Sequence, residues 1–458
     1  MAWLNELKQA GSSQVDGASL AFFRAWVGLM LMVEVLRYIL HGWVGTYFVD
    51  YTMNLGYEGF GWVRPWRPAW LMWVHFVALG VAGLLLFVGW FYRVAAVVAF
   101  LLFTAVFLFE VTNYLNHFYL VALVLGVLIL LPANAAWSMD AMFKEWKEFR
   151  VPAWTVWALR ALLAIVYIYA GIAKLNADWL FGEPMRTWLG RRTDTPLIGG
   201  FFDQEWMVML FTYGGLLLDL FVVPLMMWRP TRIPAYLACV SFHLMNAVLF
   251  NIGIFPWFMI GATTIFFSYG WPRKVKPPPP FPGARGPGKN VPRWILAVLA
   301  VFLVVQLLLP LRHFLYPGDP SWTEEGHRYS WHMKLREKQT KLVSFYLENP
   351  ETGERIYLQR DKVGEIPINE IKHWLSTRQV GKMCARPYIL RQFARRIASE
   401  FEAEKGWQDA SVHAHIRASL NARPWQDYIL PEHDLTQVPW GLGHTPWFEK
   451  LQPRTPRE

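Results

Sequence analysis

Residues 94–135, VAAVVAFLLFTAVFLFEVTNYLNHFYLVALVLGVLILLPANA, are apolar almost throughout. Crossing a bilayer takes about 20 apolar residues in a helix. This stretch is about twice that length, so it must turn back on itself, and the polar residues near 112–116 mark the turn. Residues 233–268 require a second turn of the same kind near 251–256. The chain is therefore predicted to be a polytopic α-helical membrane protein.

The composition of the whole chain agrees with a membrane protein. Of its 458 residues, 54% are hydrophobic and 17% are charged, whereas soluble domains average about 25% charged. Applying the same length criterion along the chain predicts nine transmembrane helices. They lie near residues 19–40, 69–91, 93–112, 115–135, 154–174, 206–228, 233–250, 252–269 and 292–314.

The formal net charge of +10 belongs mainly to the apolar part of the chain. Residues 1–317 carry 23 Lys+Arg against 15 Asp+Glu, and residues 318–458 carry 21 against 19. With the N-terminus inside, thirteen basic residues fall in inner loops and five in outer loops, as the positive-inside rule expects. A nucleic-acid partner is disfavoured because loop topology accounts for the surplus.

The loop charges that support this topology form two groups. The inner loops hold Lys8, Arg93, Lys144, Lys147, Arg150, Arg229, Arg232, Arg273, Lys274, Lys276, Arg285, Lys289 and Arg293. The outer loops hold Arg64, Arg67, Arg186, Arg191 and Arg192. We therefore expect a cytoplasmic N-terminus and a C-terminal domain outside.

Two domains are predicted, a transmembrane domain over residues 1–317 and an extracytoplasmic α+β domain over residues 318–458. Residues 274–290 are rich in proline and glycine and predict a stiff inner spacer before the last helix. In the outer domain the patterning predicts a β-hairpin, two helices and a half-buried strand. These elements cover residues 338–360, 367–379, 386–404 and 411–420.

Metal and disulfide chemistry are disfavoured. The only cysteines, Cys239 and Cys384, lie in different environments, which excludes a disulfide framework. His413 and His415 share one strand face, but two histidines without a third ligand make a poor zinc site. No phosphate-binding loop, serine-hydrolase elbow or zinc-protease motif occurs. We predict no metal site.

Polar residues inside predicted spans are costly and point to function. Most of them fall at the outer ends of the helices and converge on the side of the outer domain. They are Arg37, Glu110, Asn113, Asn116, His117, Lys174, His243, Asn246, Asn251, Arg312 and His313. By contrast, Asp219 lies deep in its span and Arg24 and Arg160 lie near the inner face. We expect these three to form a structural ion pair or network.

Lys174 is open to two interpretations. A lysine at a helix end can be a snorkelling anchor or a positive cap. Burial away from water instead favours the neutral amine, which can act as a general base. Its partner would then be an apolar, weakly acidic molecule that arrives through the bilayer, such as a quinol or phenol. His117 and His243 also have two interpretations, one as packing or hydrogen-bonding residues and the other as catalysts.

Five strings of residues, in order along the chain, resemble the vitamin K-dependent γ-glutamyl carboxylase family. The resemblance runs nearly end to end, from FFRAWVG at 22–28 to the region of Trp440. The strings are NYLNHFYL (113–120), YIYAGIAKLNADWL (167–180), GGLLLDL (214–220), FHLMNAVLFNIGIFPW (242–257) and LPLRHFLYPGDPSWTEEGHRYSWHM (309–333).

The resemblance implies a specific reaction. Lys174 matches the family lysine that deprotonates vitamin K hydroquinone, of the menaquinol or phylloquinol type. Reaction with O2 then yields a base strong enough to remove a γ-proton from a glutamate side chain. The carbanion adds CO2 to give γ-carboxyglutamate, and the quinone leaves as its epoxide. No metal is needed.

The resemblance also implies roles for other residues. Asn116 and His117 match an asparagine–histidine pair that organises the glutamate and its carbanion, with His117 expected to be catalytic. His243 matches a family histidine, and Asn246 lies one turn further on the same helix face. From charge and position we add Arg312 and His313 as expected partners of the substrate carboxylate.

The expected partners are a Glu-containing peptide or protein and the lipid bilayer, and the expected location is a bacterial inner membrane. Two alternatives remain. One is a related membrane protein that keeps a quinone pocket but performs different redox chemistry. The other is a non-catalytic binding protein or a transporter, although a transporter is expected to show internal repeats.

Overall fold

The computed structural model describes residues 13–50, 53–143, 149–275, 292–358, 374–437 and 443–454. Nine helices of the described residues occupy the nine predicted positions and form the membrane bundle. They are α1 (Ala18–Leu40), α2 (Trp70–Val88), α3 (Tyr92–Phe109), α4 (Asn116–Leu130), α5 (Ala153–Ala173), α6 (Glu205–Met227), α7 (Arg232–Leu249), α8 (Phe255–Thr263) and α9 (Arg293–Leu308).

Seven of these nine helices are long and apolar enough to cross a membrane, and two, α4 and α8, are shorter. Helix α4 has 15 residues, or about 22 Å at 1.5 Å per residue, against an apolar bilayer core of about 30 Å. It starts only after a 3₁₀ turn at Val111–Asn113 and extended Leu115. Helix α8 carries Pro256 in its first turn and is followed by a 3₁₀ turn at Thr264–Phe266. Both predicted turns are confirmed.

Shorter elements connect the bundle helices. A small antiparallel ladder joins β1 (Gln14–Asp16) to β2 (Arg150–Pro152). A π-helix covers Gly45–Val49 and 3₁₀ turns cover Gly199–Phe201 and Leu309–Leu315. The short α-helices are Met139–Phe143, Ala177–Leu180, Met185–Gly190, Trp271–Val275 and Pro320–Thr323.

Several predicted features lie outside the described residues. Most of the proline-rich spacer does, together with residues 367–373 of one predicted helix. So do six of the thirteen inner-loop charges. These are Lys8, Lys144, Lys147, Lys276, Arg285 and Lys289.

Near the inner ends of the bundle, Arg24 and Arg160 bind the backbone. Arg24 donates to the carbonyl oxygens of Ala133, Phe87 and Trp137 at 3.3, 3.3 and 2.6 Å. Arg160 donates to two carbonyls that follow α8. These bonds satisfy a carbonyl in the last turn of α2 and carbonyls in the segments that follow α4 and α8. The predicted network of both arginines with Asp219 is therefore wrong, because Asp219 pairs elsewhere.

The outer domain is a four-stranded antiparallel sheet covered on one face by two helices. The strand order is β4-β3-β5-β6, and Phe345 of the sheet packs 5.5 Å from Phe393 of the longer helix. The elements are β3 (Lys338–Glu348), β4 (Arg355–Tyr357), α10 (Thr377–Ala385), α11 (Pro387–Lys405), β5 (Ser411–Leu420) and β6 (Gln426–Ile429). The predicted hairpin, second helix and half-buried strand are confirmed.

The first predicted helix of this domain, at 367–379, is misplaced in its described part. Trp374 and Leu375 are not helical, and Ser376 is the N-cap of α10. Ser376 and Gln379 form a reciprocal capping box, which fixes a helix start at the place where we expected a helix end.

The outer domain sits on the outer ends of the bundle helices. Asp178, in the short helix after α5, accepts hydrogen bonds from Arg423 at 2.5 and 2.7 Å, from Asn421 at 2.8 Å and from Arg454 at 3.2 Å. Arg191 also pairs with Glu337 at 2.7 Å. The domain is thus anchored only four residues beyond Lys174.

Candidate functional site

A cavity of about 1110 Å³ lies at the outer half of the bundle and is roofed by residues of the outer domain. Its walls are mostly apolar and come from α1, α4, α5, α6, α7 and α8. The polar side chains on its lining are Glu34, Arg37, Asn113, Asn116, His117, Lys174, Asp219, His243, Asn246, Asn251, Lys334 and Arg378. Most of the polar residues singled out from the sequence thus reach one chamber.

Lys174 and Asp219 form the central charged pair of this cavity. The Lys174 Nζ lies 2.5 Å from the Asp219 Oδ2 and 3.2 Å from the carbonyl oxygen of Ala170. Lys174 is 5% exposed and Asp219 is 4% exposed. The amine also lies 5.3 Å from the ring centroid of Trp179. Lys174 is therefore a buried, paired residue and not a snorkelling anchor.

Close packing of α5 against α6 brings the two side chains together. A Cβ on Gly171 would lie 2.7 Å from the Leu220 side chain and 3.0 Å from its backbone nitrogen, so a larger residue would push the helices apart. The first turns of α6 also pack against the outer short helices, since Met207 and Val208 join Met185 in one apolar cluster. Because the first turns of α6 lie against these outer segments, counting residues from the start of α6 placed Asp219 deeper in the membrane than Lys174.

His243 faces the cavity from a buried hydrogen-bond cluster. Its Nε2 lies 3.0 Å from the Tyr167 hydroxyl, which also lies 3.1 Å from the Thr263 hydroxyl and 3.3 Å from the Cys239 Sγ. The other ring nitrogen, Nδ1, is buried without a hydrogen-bond partner. An unpaired buried polar atom is costly, so this nitrogen is available to a ligand. Asn246 lines the same wall.

His117 packs against an aromatic ring that it shares with His243. Its ring stacks on Phe255 with centroids 5.5 Å apart, and the His243 ring meets the same Phe255 at 6.0 Å. Among the described residues, His117 makes ring contacts but no hydrogen bond. The two histidines thus lie on either side of one phenylalanine at the cavity wall.

Asn116 links the bundle to the outer domain. Its Oδ1 accepts from the Tyr114 hydroxyl at 2.8 Å, and its Nδ2 donates to the His332 carbonyl at 3.2 Å. Asn113, one turn earlier, lines the cavity with both side-chain polar atoms buried and unpaired. Sequence reasoning placed Asn113 in the outer cluster but not among the site residues.

Glu110 does not reach the cavity. Its carboxylate is fully buried and accepts hydrogen bonds from Leu55 N at 3.0 Å, from Asn54 at 3.0 Å and from the Thr112 hydroxyl at 2.8 Å. These bonds hold the turn between α3 and α4. The residue is structural.

Arg312 and His313 lie away from the large cavity. Arg312 donates to the Arg328 carbonyl at 3.0 Å and lines a separate small cavity of about 70 Å³. His313 lies 2.7 Å from the Pro310 carbonyl and its ring is 4.8 Å from that of His332. Burial, together with smaller effects of His313, Arg336 and Lys174, lowers the pKa of His332 to about 3, so this histidine is neutral at pH 7. The carboxylate-binding role of Arg312 and His313 stays a prediction.

Two other cations of the outer domain line the large cavity, Lys334 and Arg378. No pattern in the sequence pointed to them, because only folding of the outer domain over the bundle brings them there. Across the described ranges, no group of three His, Cys, Asp or Glu residues could hold a metal ion.

The chamber combines an apolar interior, a buried amine–carboxylate pair and unpaired polar atoms beneath an extracytoplasmic domain. Such a site suits an apolar ligand with a few polar atoms that arrives from the bilayer. The amine–carboxylate pair can hold or move one proton at its centre.

Comparison with protein families identifies both halves of the chain. The family model of the HTTM domain matches residues 13–271, and that of the vitamin K-dependent gamma-carboxylase lumenal domain matches residues 291–453. No solved structure matches the chain. The fold and the site define a multi-pass membrane protein with an extracytoplasmic domain.

Since the HTTM match covers more than half of the chain, the chain belongs to that family, and with the lumenal domain it is a vitamin K-dependent gamma-carboxylase-type member. The resemblance seen in the sequence is confirmed.

Proposed function

We propose that this protein converts peptide glutamate to γ-carboxyglutamate in the membrane, coupled to oxidation of vitamin K hydroquinone to its epoxide by O2, with CO2 as the carbon source. The observation that carries the proposal is the buried Lys174–Asp219 pair in an apolar-walled cavity beneath the outer domain. The family to which the chain belongs supports the choice of quinol and peptide.

The cavity fits a quinol by size and by its unpaired polar atoms. At about 1110 Å³ it is larger than the roughly 300–1,000 Å³ typical of sites for drug-sized ligands. The His243 Nδ1 and the Asn113 amide are buried without partners, and the remaining wall is apolar. When bound, the quinol supplies the reducing electrons and, after reaction with O2, the strong base.

In this proposal Lys174 takes the first proton. It accepts that proton as the neutral amine, and Asp219, whose Oδ2 lies 2.5 Å from the Lys174 Nζ, holds the amine in the cavity. Trp179 and the α5 backbone hold the amine in place. Asp219 thus acts as a positioning residue that keeps a proton acceptor in an apolar chamber.

His117 and Asn116 serve the peptide side of the reaction. Asn116 is fixed by Tyr114 and the His332 carbonyl, and it fixes the position of the neighbouring His117 at the start of α4. The outer domain excludes bulk water, which would quench a base able to remove a glutamate γ-proton. We place the enzyme in a bacterial inner membrane, a choice supported by the absence of N-x-Ser/Thr acceptors and of a cysteine framework.

The test uses the purified full chain in lipid nanodiscs with reduced vitamin K, labelled bicarbonate and a Glu-rich peptide. We expect label in the peptide and vitamin K epoxide in matching amounts. Epoxide without label would favour a quinol-oxidising relative with different chemistry. If neither label in the peptide nor epoxide were formed, the proposal would be overturned.

A further inference from the structure

The outer mouth of the cavity carries two cations without carboxylate partners. Four Lys or Arg residues line the cavity. Lys174 pairs with Asp219 and Arg37 pairs with Glu34, each at 2.5 Å. Lys334 and Arg378, both from the outer domain, form no salt bridge within the described part of the chain.

Aromatic faces hold both cations in place. The Lys334 Nζ lies 4.9 Å from the ring centroid of Phe250 and 5.6 Å from that of Trp188. The Arg378 Cζ lies 4.3 Å from the ring centroid of Tyr47. A ring face attracts a cation but does not cancel its charge. These side chains are therefore positioned and still able to bind an anion.

Neither cation has a carboxylate of its own, although the charge of Glu337 acts on Lys334. The acid nearest to Lys334 in sequence, Glu337, is occupied by Arg191 at 2.7 Å and by the Trp188 indole at 2.9 Å. The Arg378 Nη1 is buried without any hydrogen-bond partner. A buried unpaired donor is costly, so this charged donor is free to bind a ligand that enters the cavity.

The two cations stand on different walls of the mouth. Lys334 contacts rings that follow α5 and end α7, whereas Arg378 contacts a ring that follows α1. One carboxylate group therefore does not account for both. Two acidic side chains of one extended chain do, and exposed positive charge of this kind also attracts acidic partners from solution.

We propose that Lys334 and Arg378 bind an acidic peptide across the mouth of the cavity, with one acidic side chain of the peptide at each cation. This rests on the proposed function, since it takes the peptide as the substrate that enters from the outer side. It assigns to these residues the carboxylate recognition that sequence position suggested for Arg312 and His313.

The experiment measures equilibrium binding of a fluorescent Glu-rich peptide to the full chain in nanodiscs, without quinol. A peptide with every Glu replaced by Gln is the matched probe. We expect the Gln peptide to bind at least about tenfold more weakly. Lys334→Met and Arg378→Gln are each expected to weaken binding of the Glu peptide about tenfold, the size of one charge-assisted hydrogen bond.

Matched variants separate charge recognition from misfolding. Lys334→Arg keeps the charge and is expected to keep most of the affinity. Lys341→Met and Arg396→Gln remove exposed charges elsewhere on the outer domain and are expected to leave affinity unchanged. Unchanged affinity in the Lys334→Met/Arg378→Gln double variant, or equal losses in the two control variants, would overturn the proposal.

The outcome is distinguishable from failure of the proposed function. Charge-dependent peptide binding in a protein that makes no γ-carboxyglutamate would support peptide binding by the two cations and exclude the carboxylase assignment. Carboxylation with the same KM for peptide in the wild type and in both single variants would exclude peptide binding by the two cations. The carboxylase assignment would then stand.

Discussion

The inner and outer ends of the membrane bundle both bury charged side chains, but they use them differently. At the inner ends Arg24 and Arg160 donate to backbone carbonyls. At the outer ends Lys174 and Asp219 face a cavity, and the His243 Nδ1 and the Asn113 amide have no partners. A buried charge is therefore informative only together with the identity of its partner.

The difference has an energetic meaning. A buried arginine that satisfies several carbonyls stabilises one arrangement of helices. A buried polar atom left unpaired instead lowers stability unless a ligand or a water completes its hydrogen bonds. The inner end is thus expected to govern folding and the outer end to govern chemistry, and mutations at each end test this division.

The largest effect is expected from Lys174→Met. Loss of a general base typically costs 10²–10⁴-fold in rate, so both γ-carboxyglutamate and epoxide should fall by about that factor per folded molecule. Product formation is measured as in the carboxylation assay, with Lys341→Met as the matched control. Full activity in Lys174→Met would contradict its assignment as the base.

The pair itself is tested by Asp219→Asn. Removing one partner of a buried ion pair commonly costs about 3–5 kcal/mol, so thermal unfolding in nanodiscs should shift to lower temperature. The double variant Lys174→Met/Asp219→Leu removes both charges and should recover most of that loss, although it stays inactive. A double variant as unstable as Asp219→Asn would show that the two residues are not energetically coupled.

At the opposite end, Arg24→Met should affect stability and not chemistry. It removes three hydrogen bonds to carbonyls and should lower the free energy of unfolding by about 3 kcal/mol. Because the inner end is expected to govern folding and not chemistry, activity per folded molecule should stay within about twofold of wild type. A fall in kcat larger than the fall in folded protein would break the comparison between the two ends.

The smallest effect concerns the contact between bundle and outer domain. Burial raises the pKa of Asp178, but hydrogen bonds from Arg423 and Asn421 and the charges of Arg423 and Arg454 outweigh it and bring the pKa below its usual value. The carboxylate therefore stabilises docking above the unfolded pKa of about 3.9. That contribution is lost as the pH falls below about 4 through the folded pKa.

The rate of hydrogen exchange of the β5 amides reports on docking of the outer domain. Protection of β5 should decline below about pH 4 in the wild type, while Asp178→Asn should show reduced protection at pH 7 and a flatter acid dependence. Asn replaces a charged acceptor with a neutral one, so the loss at pH 7 should be about 1–2 kcal/mol. Identical acid profiles for the two proteins would exclude Asp178 as the titrating group.

Much of the fold follows from apolar run length. The turns near 112–116 and 251–256 were predictable because neither long run can be one helix. The shortness of α4 and α8 was less accessible, since it depends on where the 3₁₀ and extended residues after Glu110 end and on where α8 gives way to the 3₁₀ turn at Thr264–Phe266. In the outer domain, the Ser376–Gln379 capping box shows a helix start that apolar spacing alone assigned to a helix interior.

The site was predictable where its residues lie on bundle helices. Lys174, His117, His243 and Asn246 reach the cavity because helix ends on one side of a membrane converge. The pairing of Lys174 with Asp219 was missed. The depth of Asp219 in the membrane depends on how the first turns of α6 pack against the outer short helices, which the sequence does not show. Lys334 and Arg378 come from a domain folded separately in sequence, and no spacing rule connects them to the bundle.

The two short helices have a consequence for the electric field in the chamber. Both α4 and α8 run inward from the outer side, so their first turns begin beside the cavity, at Asn116 and Phe255. The amino end of a helix carries the equivalent of about half a positive charge. Two such ends therefore lie at the lining of the cavity. The membrane half thus contributes a fixed positive potential there without a single additional charged side chain.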